Sequence, residues 1–365
     1  METKIKEFMP KAVLAMILTC VISSFLIEIP KIFSVDLKSF SFYEKNAALI
    51  VFFGLSVFSL WLNSAFSNRK LIYLLLAFTL PAIYVNLLPS GDDSSSINLV
   101  YIHLPLLLWA IYGVVFINFD MRDKAGRIGY IRYNGDLAVV TGLILIAGAI
   151  LAGVTISLFE VLDLKIEKFY MDYIALCGLV SAPVVAAFII DTYPMASSKI
   201  VPIIAHIFSP LVLFTLVIYL IAIPFSGKDP YNDRDFLLIF NLMLIGVMAI
   251  VVFSVSETLT GKRNRFNESV LMLLAFVTLV IDLIALSAIL YRLGEFGISP
   301  NRIAVLGSNI LIFANLALIL VDLFRVNFKK SAINIVENTI SRYLPVYLVW
   351  ILIVVFAFPL IFGMK

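Results

Sequence analysis

The sequence predicts an all-α fold, a polytopic transmembrane helical bundle of about eleven spans with its N-terminus inside and its C-terminus outside. Three observations predict it. Hydrophobic residues make up 62% of the 365-residue chain and charged residues only 14%, where soluble domains run at roughly 45–50% and about 25%. A mean hydropathy of +1.05 cannot come from one anchor on a soluble domain, because a single span occupies only about 20 residues. Finally, the apolar residues gather into eleven runs of 17 to 25 residues, and all 27 Lys and Arg lie outside them. Hydrocarbon offers the backbone no water, so such runs must be helices, and a barrel would show ~10-residue alternating segments instead.

In chain order the runs are 12–30, 47–66, 71–88, 99–117, 137–159, 174–190, 201–225, 236–254, 270–290, 303–324 and 344–362. The first follows Lys4, Lys6 and Lys11 and so imitates a signal peptide, with Cys20 at the place of a lipoprotein cysteine. Thr19 is a poor residue before such a cysteine and no small-x-small site follows, so this run is expected to be a span. Cys20 and Cys177 both fall in runs, which predicts neither a disulfide framework nor a cysteine metal site. Small residues four apart, Gly148 with Ala152, Ala149 with Gly153, and Gly178, Ala182 and Ala186, predict close helix contacts in the fifth and sixth spans.

No connection exceeds 19 residues, so the whole of 1–365 reads as a single integral membrane domain with no extramembrane domain. Two connections look like more than turns. Leu162, Ile166, Phe169 and Tyr173 within 160–173, and Ile333, Val336, Ile340 and Tyr343 within 325–343, recur at helical spacing, which predicts interfacial helices serving as structural belts.

The N-terminal side carries 17 Lys and Arg and the opposite side 10. The positive-inside rule therefore places the N-terminus in the cytoplasm, and the lysine-free loop from Pro89, with Asp92 and Asp93, outside. The lipid bilayer is the expected partner, with anionic headgroups at the basic inner loops, and the net charge of +3 implies no nucleic acid.

Chemistry-bearing motifs are scarce. The chain has no phosphate loop, no HExxH, no paired cysteines and no GxSxG, and its two histidines cannot build a histidine-rich metal centre. We therefore expect no catalytic residues, no metal and no cofactor, and an enzyme is the least favoured class. His103 and His206 read as intramembrane polar residues in hydrogen-bonded structural roles, and the sequon at Asn267 as noise.

Ionisable residues inside spans are sharper, since a charge at mid-bilayer costs about 2.5–3.5 kcal/mol on the mildest scale. Glu28 has Lys31 three residues on, and Asp322 has Arg325, so both can pair locally. Asp282 sits at the centre of 270–290 with no basic residue within nine positions. Asn309 is expected at nearly its depth on the next span, with Asn315 further along. A protonated Asp282 bonded to Asn309 would serve packing only, and the competing reading is a proton- or cation-linked role.

The turn between these spans reads Tyr291-Arg-Leu-Gly-Glu-Phe-Gly-Ile-Ser-Pro-Asn-Arg302. Gly294 and Gly297 are expected to break the ninth span, and Ser299 with Pro300 to cap and start the tenth. Glu295 is expected to pair with Arg302 or Arg292 across the turn while Asn301 caps exposed backbone. The alternative is that Arg292 and Arg302 bind an anionic ligand from outside.

Continued through Ile303-Ala-Val-Leu-Gly-Ser-Asn309, this stretch resembles the E-Y-G-x-T-P-N-R hairpin of the domain-of-unknown-function 4153 family of bacterial multi-spanning proteins. His103-Leu-Pro-Leu-Leu-Leu-Trp109 and Arg132-Tyr-Asn-Gly-Asp136 add to the resemblance, which departs in Phe296 for Tyr and Ser299 for Thr. It implies a multi-pass protein of the bacterial inner (cytoplasmic) membrane and no mechanism. Two function classes stay open. One is a transporter, permease-like or lipid-handling bundle, favoured by the many spans and by Asp282. The other is a non-transporting scaffold, sensor or complex subunit that recruits a partner, favoured by the thin polar inventory.

Overall fold

Among the described residues every regular element is helical. The computed structural model describes residues 2–33, 41–62, 67–89, 94–160, 165–192, 209–210, 212–214, 216–218, 220–221, 231, 234–257, 265–329 and 331–363. Its long helices are α1 (Glu2–Ile32), α2 (Phe42–Leu62), α3 (Asn68–Leu87), α4 (Ser95–Phe116), α5 (Lys124–Glu160), α6 (Glu167–Thr192), α7 (Arg234–Glu257), α8 (Arg265–Phe296), α9 (Pro300–Lys329) and α10 (Asn334–Phe362). Among the described residues nine of these, α1 to α6 and α8 to α10, are long and apolar enough to cross a membrane. The protein is thus an all-helical, multi-pass, membrane-embedded chain. α7 occupies the eighth expected run, while the seventh, 201–225, with His206, lies largely outside the described residues.

The helices run past the apolar centres that hydropathy marks because they end at caps, not where charge begins. Ser67, Ser94 and Ser299 each accept a hydrogen bond from the backbone N–H three residues on, at 3.3, 3.4 and 3.4 Å. Consequently α8 extends the expected 270–290 to Arg265–Phe296, with Gly294 inside it. Gly297 is the residue that ends it, at φ 72°, a left-handed conformation that an L side chain resists.

The stretches expected as interfacial helices belong to longer elements. Residues 167–173 open α6 through a π turn over Tyr170–Ala175. The stretch 325–343 is split between the end of α9 and the start of α10, and its apolar stripe is inside: Val336 and Ile340 are core residues with Ile333 packed against them. A stripe that finds protein to pack on has no need of a membrane surface.

The chain divides into two compact units. The first comprises Met1–Ile97, Tyr101–Asp123 and Tyr133–Lys199. Here α1, α2 and α6 pack together around Ile27, Ile50 and Val180. Gly54 of α2 permits the approach of α1, since a Cβ there would meet Ser23 Oγ at 2.8 Å. Of the small residues expected to do this, Ala182 and Ala186 of α6 are buried, while Gly148, Gly153 and Gly178 have nothing among the described residues within 4 Å of where a Cβ would stand. α3 joins α2 through Phe53 and Phe78, 5.5 Å apart, and through the mutual amide bonds of Asn46 and Asn86 at 3.0 and 2.8 Å. Lys45, buried at 1% exposure, donates to the Leu88 carbonyl at 2.9 Å, where the end of α3 leaves carbonyls unpaired. Trp109 Nε1 donates to Asn134 Oδ1 at 2.9 Å and ties α4 to α5.

The second unit holds Asn98–Val100, Lys124–Arg132 and Ile200–Lys365, hence α7 to α10 and the first turns of α5. Its core is lined by Leu274, Ile281, Ala285 and Ala288 of α8, Leu316, Ile319 and Leu323 of α9, and Val247 and Val251 of α7. α8 and α9 form its main hairpin, with α10 against α9. Trp350 fixes that last contact: its ring fills the space a Cβ on Gly307 would take, and its Nε1 donates to Ser308 Oγ at 3.0 Å. Near its end α10 relaxes into a π turn over Ile353–Ala357, just before Pro359, which has no N–H to continue the regular ladder.

Candidate functional site

The α8–α9 hairpin sets the depth of every polar group in the second unit. Its turn lies between Phe296 and Pro300, so Asp282, 14 residues before the turn, and Asn315, 15 after it, both sit about 21–22 Å away at 1.5 Å per residue. Tyr347 reaches the same level along α10, 13 residues past Asn334, and accepts a hydrogen bond from Asn315 Nδ2 at 3.1 Å. Asn309 lies only nine residues past Pro300, about one and a half turns closer to the hairpin end. It does not meet Asp282 as expected; its Nδ2 donates to Asn241 Oδ1 of α7 at 2.9 Å. The expected depth match failed because α8 runs on through Gly294, which moves the turn and with it the whole register of α9.

Asp282 is completely buried and neither carboxyl oxygen has a hydrogen-bond partner among the described residues. Asn315, 1% exposed, likewise leaves its Oδ1 without a donor. One turn before Asp282, the buried Thr278 hydroxyl gives its proton to the Leu274 carbonyl at 2.7 Å, leaving its oxygen free to accept. Asp282 is also within electrostatic reach of Tyr347. The mid-membrane set is therefore rich in acceptors and short of donors. An ionised carboxyl there is an uncompensated buried charge, which one proton or one small cation would neutralise.

The end of the unit formed by the start of α8 and α10 and the end of α9 is densely bonded. Asp322 accepts from Arg325 Nη1 at 3.0 Å, as local spacing predicted, and also from Thr339 Oγ1 at 2.6 Å. Ser269 Oγ donates to Asn327 Oδ1 at 3.2 Å. From α5, Arg127 Nη1 donates to the Ser341 carbonyl at 3.0 Å, and Arg132 lies 3.9 Å from the buried Glu337. In the first unit Glu28 pairs with Lys31 at 3.2 Å, again as expected. Lys31 also donates to the Asp172 carbonyl in the π turn of α6 and lies 4.5 Å over the Tyr173 ring. A π turn loosens the regular ladder and so offers a carbonyl to an outside donor.

The hairpin turn differs from its expected pairing. Arg302 Nη1 donates to the Phe296 and Gly297 carbonyls at 2.8 and 2.6 Å, and its guanidinium lies 5.6 Å over the Phe296 ring, with Arg292 5.8 Å from the same ring. Glu295 is exposed and makes no ion pair among the described residues, because α8's unsatisfied terminal carbonyls hold Arg302 instead. Asn301 is exposed and engaged with a neighbour, and Ser299 provides the cap. His103 is half-buried in α4 and also engaged.

Sequence reasoning missed Asn241, Tyr347, Thr339 and Lys45. Asn315 near the middle of its run was a legible signal, whereas Tyr347 stands only fourth in the run 344–362 and reaches mid-helix because α10 starts at Asn334. Together, fold and site define a multi-pass, membrane-embedded helical protein with a buried acid at mid-span. No family model matches the chain, and neither a curated protein nor a solved structure proves similar to it.

Proposed function

We propose that the protein is a permease-like transporter of the bacterial inner membrane in which Asp282 takes up and releases a proton or a small cation. The observation that carries this reading is the completely buried Asp282 carboxyl, whose oxygens have no hydrogen bond among the described residues, level with Asn315 Oδ1, which has none there either. Membrane proteins rarely hold such an acid without using it. Resemblance to the domain-of-unknown-function 4153 family supports the bacterial setting, and the basic asymmetry supports eleven spans with the N-terminus inside. Protonation would turn Asp282 from an acceptor into a donor toward Asn315, whose amide is already held by Tyr347. That is a switch between an unbonded and a bonded carboxyl, the two-state element an alternating device needs.

A second reading is favoured by the close apolar packing of Ile281, Ala285, Leu316 and Ile319 on the same helices. Under it Asp282 stays permanently protonated inside a scaffold, sensor or complex subunit. Infrared difference spectroscopy of the purified protein separates the two. A protonated-carboxyl band that disappears as pH is raised or NaCl is added, and that is missing in Asp282→Asn, supports transport. A band unchanged over the whole pH range in which the protein stays folded, with and without NaCl, sinks the transport reading and leaves the scaffold.

A further inference from the structure

Between α8 and α9, on the half of the hairpin away from the Gly297 turn, runs an open groove of about 370 Å³ lined by Met272, Leu273, Phe276, Leu320, Phe324 and Phe328. Its walls are aromatic and largely exposed: Phe276, Phe324 and Phe328 are 53%, 49% and 64% accessible. In a membrane-embedded protein such a face meets lipid, and most lipid-facing surfaces are unspecific. This one has a basic end. Arg265, Ser269, Met272 and Phe276 fall at spacings of four, three and four residues, so Arg265 stands on the groove's face of α8 two turns beyond Met272. Arg325 stands at the groove's edge next to Phe324, Lys329 lies further round α9 on the face of Asp322 seven residues back, and all three basic side chains are exposed. Of the acids described at this end, Asp322 is buried and turned to Thr339, taking one guanidinium nitrogen of Arg325, and Glu268, three residues past Arg265, is buried as well. The Ser269–Asn327 bond at 3.2 Å clamps the two helices together at the level where apolar wall gives way to charge.

We propose that this groove is a binding site for one anionic phospholipid, its acyl chain against Phe276, Phe324 and Phe328 and its phosphate beside Arg265 and Arg325, with Lys329 flanking. The physical grounds are the match of apolar depth to a chain and of three cations to a headgroup. The groove is separate from the Asp282 site, and the proposal holds whether or not the protein transports.

Photo-crosslinking tests it. Purified full-length protein in a neutral detergent is exposed to phosphatidylglycerol bearing a diazirine in its acyl chain, or to phosphatidylcholine with the same chain, and the labelled peptides are sequenced. The expected result is labelling within 265–276 and 320–329 by phosphatidylglycerol in preference to phosphatidylcholine. The double variant Arg265→Gln, Lys329→Gln should need roughly tenfold more phosphatidylglycerol for the same labelling, with its thermal unfolding midpoint and its labelling elsewhere on the chain unchanged. Equal labelling by the two lipids would mean an unspecific lipid contact and overturn the proposal. So would exclusion of lipid from these peptides by a second copy or a partner protein crosslinked there, or a double variant that labels like the parent. If the double variant proves unstable, competition of unlabelled phosphatidylglycerol against unlabelled phosphatidylcholine on the parent protein decides the same question.

Discussion

Neutralising Asp322 and neutralising Glu295 remove the same charge with opposite consequences. Asp322 is buried and accepts from both Arg325 and Thr339, the latter at 2.6 Å, so Asp322→Asn gives up charge-assisted bonds and should cost about 2 kcal/mol. Glu295 is exposed and has no ion pair among the described residues, so Glu295→Gln should stay within about 0.5 kcal/mol of the parent. Unfolding of the two variants in one detergent measures the difference, and a destabilised Glu295→Gln would restore the cross-turn ion pair read from the sequence. Gly307 gives a steric case. An added methyl group collides with the Trp350 ring, so Gly307→Ala should cost about 1–3 kcal/mol as an overpacking change, and much of that loss should return when Trp350→Leu is added. Additive losses in the double variant would count against that contact.

Helix ends rather than helix centres distinguish the elements. Gly297 sits at φ 72°, where an L residue is penalised, so Gly297→Ala should lower stability by about 1–2 kcal/mol. Gly294 is inside α8 with open space where a Cβ would go, so Gly294→Ala should be neutral or add up to about 1 kcal/mol through helix propensity. Opposite signs in the two unfolding midpoints are the expected outcome. A loss at both positions would mean that α8 ends at Gly294, and the shared level of Asp282 and Asn315 would no longer hold.

At the scale of the whole molecule the helices are longer than a bilayer's hydrocarbon. α8 has 32 residues and α9 has 30, or about 48 and 45 Å, against a core of about 30 Å, so their charged ends project beyond it. This accounts for spans free of Lys and Arg inside helices that carry Arg265, Arg292, Arg302 and Lys329. The basic asymmetry predicts which ends face the cytoplasm, and single cysteines check it. In intact cells an impermeant thiol reagent should label Ser299→Cys and spare Ala125→Cys, both in a background with Cys20 and Cys177 replaced. The reverse pattern would invert the proposed topology and exchange the leaflet of the groove.

The sequence by itself determined the helical class, the membrane setting, most helix positions, the Ser299 cap and the local pairs Glu28 with Lys31 and Asp322 with Arg325. Each follows from composition or from neighbours within four residues, and hydrocarbon leaves an apolar run no alternative to a helix. The tertiary structure decided where the hairpin turns, and so that Asp282 shares its level with Asn315 and Tyr347 while Asn309 pairs with Asn241. It also decided that glycine makes its close approaches at Gly54 and Gly307, while of the expected small residues it is Ala182 and Ala186 that are buried. The reason is geometric. α8 ends six residues later than read from hydropathy, at Phe296 rather than Leu290, and α9 starts three earlier, at Pro300 rather than Ile303, so the position level with Asp282 moves from 311 to 314, about 4.5 Å, and that turn depends on which carbonyls Arg302 holds and on the φ of Gly297.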